Sequence, residues 1–211
     1  MNRDETLQVL KEVEAVLEGH FLLSSGKHSG TYCQCAKLMR FPDKAAQVLK
    51  SVVQQVEGLS ITKVCGPAMG GINVSYEIAR QLGKESIFTE RKGGEMALRR
   101  GFSVGSGDRI LITEDVVTTG KSTLETVRAL EAYGARVIGV ACIVDRHTPD
   151  CLLSIPVYSA VTLQIDAYDS EDCPICREGR IPLDKPGSRE QNKGTALHFK
   201  EGSMKIVSSL R

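Results

Sequence analysis

One stretch of the sequence decides the fold, and residues 110–123 read Ile-Leu-Ile-Thr-Glu-Asp-Val-Val-Thr-Thr-Gly-Lys-Ser-Thr. The first three residues have the apolar character of a buried strand. Two carboxylates, Glu114 and Asp115, come next, and a turn rich in hydroxyl groups and glycine then begins a helix. Backbone N–H groups, hydroxyls and a helix N-terminus together suit a phosphate. The stretch therefore predicts a strand–turn–helix unit with an anion site at its turn.

Strand and helix patterns alternate on both sides of this unit. Short apolar runs predict strands at residues 61–65, 86–89, 137–144 and 157–163, and apolar spacing predicts helices at residues 48–56, 75–82 and 124–130. This alternation is typical of an α/β fold, a parallel sheet flanked by helices. Ligands of such sheets bind beyond the carboxyl ends of the strands.

Three segments depart from the alternation. The spacing of Leu7, Leu10, Val13 and Leu17 predicts an amphipathic N-terminal helix that ends near Gly19, and residues 21–32 are predicted to be a hairpin or loop. Residues 90–107 are basic, glycine-rich and weakly patterned, which predicts a long functional loop. The tail after residue 166 is predicted to be irregular.

Length and charge exclude several classes of protein. The 211 residues predict a single domain, 1–211, and 27 Lys plus Arg against 26 Asp plus Glu give a net charge of only +1. Proteins that bind nucleic acids usually have a broad basic surface, and a net charge near zero argues against one here. We therefore expect no nucleic-acid partner. No signal peptide or membrane-spanning run is visible, and seven scattered cysteines favour a reducing compartment. We therefore expect a cytoplasmic protein with no membrane partner.

Two nucleotide-binding motifs fail on inspection. The sequence Gly120-Lys121-Ser122 ends like the phosphate loop of nucleoside triphosphatases, but that loop requires a glycine where this chain has Asp115. A carboxylate there would face the phosphates. The glycine fingerprint of dinucleotide-binding folds is absent from the sequence.

The strand, the acidic pair and the Thr-rich turn together resemble the phosphoribosyl-pyrophosphate (PRPP) motif of type I phosphoribosyltransferases. Other segments resemble orotate phosphoribosyltransferases in the family's order. Residues 21–36 resemble the N-terminal hood, 66–72 the pyrophosphate loop, 90–92 the start of the flexible catalytic loop, and 145–146 the site of an orotate-binding arginine. The tail, with Cys173, Cys176 and residues 185–188, resembles one bacterial branch. By this resemblance, the hood comprises elements in about residues 1–40, and the tail spans 166–211.

The resemblance implies transfer of the ribosyl 5-phosphate group from PRPP to N1 of orotate, giving orotidine 5'-monophosphate and pyrophosphate in UMP biosynthesis. It implies Mg²⁺ as cofactor, with no side chain assigned as a metal ligand, and a homodimer with shared active sites. Arg91 and Lys92 would be catalytic and would reach the neighbouring subunit's pyrophosphate. Thr118 and Arg146 would bind orotate. The implied PRPP site is the run Glu114, Asp115, Val116, Val117, Thr118, Thr119, Gly120, Lys121 and Ser122, in which the two acids bind the ribose hydroxyls.

Alternatives remain within and beyond this class. The PRPP motif does not select the base, so a purine or uracil phosphoribosyltransferase stays open, and so does a PRPP-binding regulator without catalysis. Many members carry a lysine at the position of Gly70, a lysine at the position of Ser24, and a lysine and a histidine further along the catalytic loop. Arg99 or Arg100 could replace the missing loop charge.

The pair Cys173-Pro-Ile-Cys176 suggests zinc, but structural zinc usually has four protein ligands. Cys142, His147 and Cys151 are distant candidates for the other positions. The default expectation is free thiols in a tail loop.

Overall fold

The computed structural model describes residues 1–23 and 25–186. Ser24 lies outside the described residues, and so does the tail from residue 187 onward, including Gly187 and Ser188.

A six-stranded sheet forms the centre of the molecule, with strand order β5-β4-β3-β6-β7-β8. Strands β4, β3, β6, β7 and β8 are parallel, and only the edge strand β5 is antiparallel to its neighbour. This confirms the predicted fold class. The strands of the sheet are β3 (Lys63–Pro67), β4 (Glu85–Lys92), β5 (Glu95–Leu98), β6 (Arg109–Val117), β7 (Arg136–Asp145) and β8 (Val157–Thr162).

Helices cover both faces of this sheet. On one face, α1, α3 and α4 pack in a core that includes Leu111, and on the other face α5 packs in a core that includes Ile110 and Ile112. Successive side chains of a strand point to opposite faces, so a strand buried on both faces reads as a continuous apolar run. The helices are α1 (Arg3–Glu12), α2 (Ala36–Met39), α3 (Pro42–Val56), α4 (Gly70–Leu82), α5 (Lys121–Glu131) and α6 (Pro174–Glu178). None of the helices in the described ranges is long and apolar enough to cross a membrane.

The predicted N-terminal helix is too long, because α1 ends at Glu12. The chain reverses at Glu14, whose φ of 57° is left-handed, and the N–H of Ala15 donates to the carbonyl of Leu10 at 2.7 Å. It then enters β1 (Val16–Leu22), which pairs with β2 (His28–Cys33) in a separate two-stranded sheet. The prediction of a hairpin or loop at 21–32 is therefore confirmed as a hairpin that begins earlier.

The predicted loop at 90–107 is wrong for its first half. Strands β4 and β5 form an antiparallel hairpin, and the pair Gly93-Gly94, both with positive φ, makes its turn. Only Glu95 of the outer strand is exposed, while Met96 is buried and Ala97 and Leu98 are partly buried. The strand is four residues long and holds no β-branched or aromatic residue, so its sequence lacks the usual strand signal. Arg91 and Lys92 consequently lie at the end of a strand.

The tail is tied to the β1–β2 hairpin by backbone hydrogen bonds. The N–H of Leu22 donates to the carbonyl of Asp184, and the N–H of Asp184 donates to the carbonyl of His20, each at 2.8 Å. His28 and Tyr168 exchange a reciprocal pair of bonds, also at 2.8 Å. The described part of the tail is therefore held against the hairpin at two points.

Candidate active site

An open cleft of 320 Å³ lies where β6 ends and α5 begins. Its lining consists of Arg91 and the continuous run 116–123. The carboxyl end of a parallel strand and the N-terminus of a helix meet here, as expected for an anion site. The first N–H groups of a helix have no partner within the helix, so the first turn of α5 offers donors to a bound phosphate.

The turn depends on Gly120. Its φ is 71°, and a β-carbon at this position would lie 2.4 Å from Cγ of Leu153. The N–H of Leu152 donates to the carbonyl of Thr119 at 3.0 Å, which fixes the loop after β7 against the turn. Glycine is required here both for its conformation and for this close approach.

The two acids of the motif lie on opposite faces of β6. Glu114 points toward α5, where its Oε1 accepts hydrogen bonds from the hydroxyls of Ser122 at 2.9 Å and Thr123 at 3.1 Å. It is only 6% exposed. Burial raises the pKa of Glu114 to about 7, against the lowering effect of these two hydroxyls. Glu114 therefore changes charge near neutral pH.

Asp115 faces α4 across the sheet edge. Its Oδ1 accepts from the N–H of Val116 at 2.9 Å, and burial raises its pKa. A β-carbon on Gly70 would lie 2.6 Å from this oxygen. Glycine at position 70 thus leaves room for the Asp115 carboxylate, and any side chain there would displace it.

The two residues predicted to bind orotate are neighbours in space. Arg146 follows β7, and its Nε donates to the hydroxyl of Thr118 at 3.0 Å. Its N–H donates to the carbonyl of Val117 at 3.0 Å. Arg146 is half-buried and stands beside the phosphate turn, so its guanidinium is held at the edge of the cleft.

Arg91 lines the cleft of its own chain. Its guanidinium donates to the carbonyl of Gly94 at 2.6 Å and pairs with Glu125 of α5. Lys92, the next residue, is exposed. The other two basic residues of this region, Arg99 and Arg100, both bind Glu90, and these arginines lower the pKa of that carboxylate. Their charge is thus partly balanced within the β4–β5 hairpin.

The sequence did not indicate Glu125, Leu153 or the role of Gly70. Each acts through a contact between segments distant in the chain, and only the Thr-rich turn carried a local signal. The distant zinc candidates do not join Cys173 and Cys176. Cys142 is buried in β7, and His147 forms a hydrogen bond of 2.8 Å with Asp145. Cys151 lies in the loop between β7 and β8.

The fold and this cleft define a phosphoribosyltransferase, and the phosphoribosyl transferase domain model matches residues 34–172. An orotate phosphoribosyltransferase of Caldicellulosiruptor bescii is 47% identical over 191 residues, which are 90% of this chain and all of the relative. The chain therefore belongs to the orotate phosphoribosyltransferase family.

Solved structures agree with the fold. The orotate phosphoribosyltransferase of Aeropyrum pernix aligns with a TM-score of 0.65 at 26% identity, covering 74% of this chain and 93% of that one. The UMP synthase of Leishmania donovani aligns with a TM-score of 0.64 at 22% identity, covering 75% of this chain and 36% of that one. The second likeness extends to the fold alone.

Proposed function

We propose that this chain transfers the ribosyl 5-phosphate group of PRPP to N1 of orotate, which yields orotidine 5'-monophosphate and pyrophosphate in UMP biosynthesis. The observation that supports this choice of base is the 3.0 Å contact between Arg146 and Thr118 at the edge of the phosphate turn. A guanidinium there can donate two parallel hydrogen bonds to a planar carboxylate. Uracil and purine bases have no carboxylate to receive them.

The phosphate turn would hold the 5-phosphate. Residues Thr118, Thr119, Gly120, Lys121 and Ser122 provide hydroxyls, an ammonium group and the N-terminus of α5. Val116 and Val117 form the end of β6 and the cleft wall beside them. Asp115 and Glu114 would bind the ribose hydroxyls. The Ser122 hydroxyl donates to Glu114, so Ser122 would link the carboxylates that bind the ribose to the turn that binds the 5-phosphate.

The reaction breaks the bond between C1 of the ribose and the pyrophosphate oxygen, and the electron pair leaves with pyrophosphate. The bond from orotate N1 to C1 forms, and the N1 proton is released. Positive charge develops on the sugar, where the carboxylates stabilise it, while basic groups stabilise the leaving pyrophosphate. Arg91 in the cleft and Lys92 next to it are the catalytic groups for that task.

Mg²⁺ fits this donor set, because it prefers oxygen ligands and is usually held by one or two carboxylates together with substrate phosphates. The oxygens of PRPP would hold the ion, and Glu114 and Asp115 at the end of β6 would be the carboxylates available to it. When bound, Mg²⁺ neutralises the charge that collects on pyrophosphate. The orientation of the sugar and phosphate comes from the chain's own residues.

We propose a cytoplasmic homodimer with shared sites. None of the seven cysteines forms a disulfide, which supports a reducing compartment. Met69 and Tyr76 of the α4 region are 85% and 67% exposed, and an adjoining groove is lined by Phe88 of β4. Strand β4 leads from this groove to Lys92, so a second copy seated here would lie beside the β4–β5 hairpin.

The experiment that tests the function is a panel of bases. The purified chain is incubated with PRPP, Mg²⁺ and, separately, orotate, uracil, hypoxanthine or xanthine, and base consumption and pyrophosphate release are measured. We expect only orotate to be consumed, with one pyrophosphate released for each orotate. Turnover of a different base would reassign the substrate. Binding of PRPP without turnover of any base would favour the non-catalytic regulator.

A further inference from the structure

Four metal-ligating side chains meet outside the cleft. His20 of β1, His28 of β2, Cys173 and Cys176 each present one ligand atom, and the four atoms all lie within 4.8 Å of one another. Three of the four residues are buried, and Cys176 is exposed. None of them lines the cleft formed by Arg91 and residues 116–123.

Four of the six distances between these atoms are close to the edges of a zinc tetrahedron. Nε2 of His20 lies 3.1 Å from Nδ1 of His28, and it lies 3.6 Å and 3.5 Å from the sulfurs of Cys173 and Cys176. Nδ1 of His28 lies 3.2 Å from the sulfur of Cys176. Zinc bonds of ordinary length imply edges of roughly 3.3 Å between two nitrogens and roughly 3.6 Å between nitrogen and sulfur.

The ring of His20 is set in the orientation that a metal ligand needs. Its Nδ1 lies 3.1 Å from the carbonyl of Ile181, which accepts a hydrogen bond only if Nδ1 carries the proton. Nε2 is then left with a lone pair, and this is the atom that faces the other three groups. A backbone carbonyl that fixes the tautomer in this way is the usual partner of a metal-bound histidine.

The cysteines approach the histidines on a compact turn. Cys173 precedes α6 and is fully buried, Pro174 begins that short helix, and the N–H of Arg177 donates to the carbonyl of Cys173 at 3.2 Å. Two cysteines separated by two residues are a common half of a structural zinc site. The other half comes from the two strands of the hairpin, near the turn that joins them.

We propose that His20, His28, Cys173 and Cys176 bind one zinc ion as a structural site. Four protein ligands fill the tetrahedral shell, so no position is open for water or substrate. The ion would join the β1–β2 hairpin to the described part of the tail, beside the backbone bonds of Asp184 and Tyr168. It would therefore stabilise the N-terminal hairpin, which has only two strands of its own.

Metal analysis of the full chain tests this directly. The protein is purified under reducing conditions from zinc-containing medium, and its zinc is measured by mass spectrometry against protein concentration. We expect about one zinc ion per chain. The Cys176→Ser variant, which changes the exposed ligand, should lose most of it during dialysis against a chelator of moderate strength. The Cys151→Ser variant, which changes a cysteine outside the cluster, should retain it.

Cobalt gives a second measurement that does not depend on a variant folding. Wild-type protein reconstituted with Co²⁺ should show the visible bands of tetrahedral cobalt and a thiolate charge-transfer band. Zinc removal should lower the melting temperature of the wild type but not that of Cys176→Ser. The proposal is overturned if the reduced wild-type chain binds no zinc or tetrahedral cobalt. Full zinc retention by Cys176→Ser, or a Cys173–Cys176 disulfide in the purified protein, would also overturn it. None of these outcomes depends on which base is turned over.

Discussion

At the scale of single residues, the proposed preference for orotate depends on Arg146. It uses Nε to bind Thr118, and within the described residues its two terminal nitrogens have no hydrogen-bond partner. Arg146→Ala should therefore raise the KM for orotate by about 100-fold, the loss expected for two charged hydrogen bonds. The KM for PRPP should change little. Steady-state kinetics with each substrate varied in turn measures both values.

The matched control for this substitution is Arg128→Ala, which removes an exposed arginine from α5. It should leave both KM values unchanged. An equal loss of affinity for orotate and PRPP in Arg146→Ala would mean that this residue serves the phosphate turn instead of the base.

Glu114 makes stability depend on pH. Burial raises its pKa from 4.5 to about 7, so between these values the folded chain keeps a proton that the unfolded chain has released. The free energy of unfolding contributed by this group therefore falls as pH rises from about 4.5 to about 7, by up to about 3 kcal/mol. Glu114→Gln cannot ionise and should show a flatter dependence in urea unfolding between about pH 5 and pH 8.

Glu131→Gln, at the exposed C-terminal end of α5, is the control and should keep the wild-type pH dependence. If Glu114→Gln follows the wild-type curve as well, the Glu114 carboxyl does not change its protonation on folding in this range. The hydroxyls of Ser122 and Thr123 would then keep it ionised.

At the scale of elements, the junction of β6 and α5 depends on a glycine that two segments share. Gly120 has a left-handed φ, and a β-carbon added to it would meet Leu153. Gly134, beyond the other end of α5, has a φ of 84°, but a β-carbon there would meet nothing closer than 3.7 Å. Gly134→Ala should cost about 1 kcal/mol of stability, from conformation alone. Gly120→Ala should cost more and should also weaken PRPP binding, because Leu153 or the turn must move.

Calorimetric titration with PRPP and thermal unfolding of both variants measure these effects. Equal stability losses, with PRPP affinity unchanged in both variants, would show that the turn tolerates the added methyl group and that the Leu153 contact is not needed for the site.

The elements of the sheet could be predicted because each depends on local periodicity. The apolar run at 110–112 and the helical spacing after Gly120 correctly gave the strand and the helix that form the cleft. Helical spacing failed at Val13 and Leu17, because a left-handed residue, Glu14, ends the helix and pairing with β2 makes the next residues a strand. Composition failed at residues 93–98 because two glycines are followed by a short strand with no β-branched or aromatic residue.

The candidate site also has one part that the sequence predicts and one part that it does not. The turn at 118–122 has a sequence signature, whereas the groups that shape it come from distant segments. Gly70 beside Asp115 and Glu125 beside Arg91 could be found only from the fold. Of the cluster of His20, His28, Cys173 and Cys176, only the two closely spaced cysteines suggested a metal site in the sequence. The two histidines lie about 150 residues earlier in the chain, so only the fold shows that they join the cysteines.

At the scale of the whole molecule, the exposed Lys92 ends the strand β4, whose Phe88 lines the groove beside Tyr76. If Lys92 serves the partner's site, two inactive variants should complement each other. Mixed Lys92→Ala and Arg146→Ala protein, refolded or co-expressed at equal amounts, should recover roughly a quarter of wild-type turnover at limiting orotate. Half of the dimers are then hybrids, and each hybrid holds one intact site.

The control mixture joins Arg146→Ala with Thr118→Val, two changes that lie together in one chain's cleft. Every hybrid site then carries one defect, so turnover should not exceed that of the parent variants. Independent subunits would give the same absence of recovery for the Lys92 mixture. In that case Lys92 would act beside Arg91 in the cleft of its own chain. The ion pair of Arg91 with Glu125 already holds this end of β4 at that cleft without a second subunit.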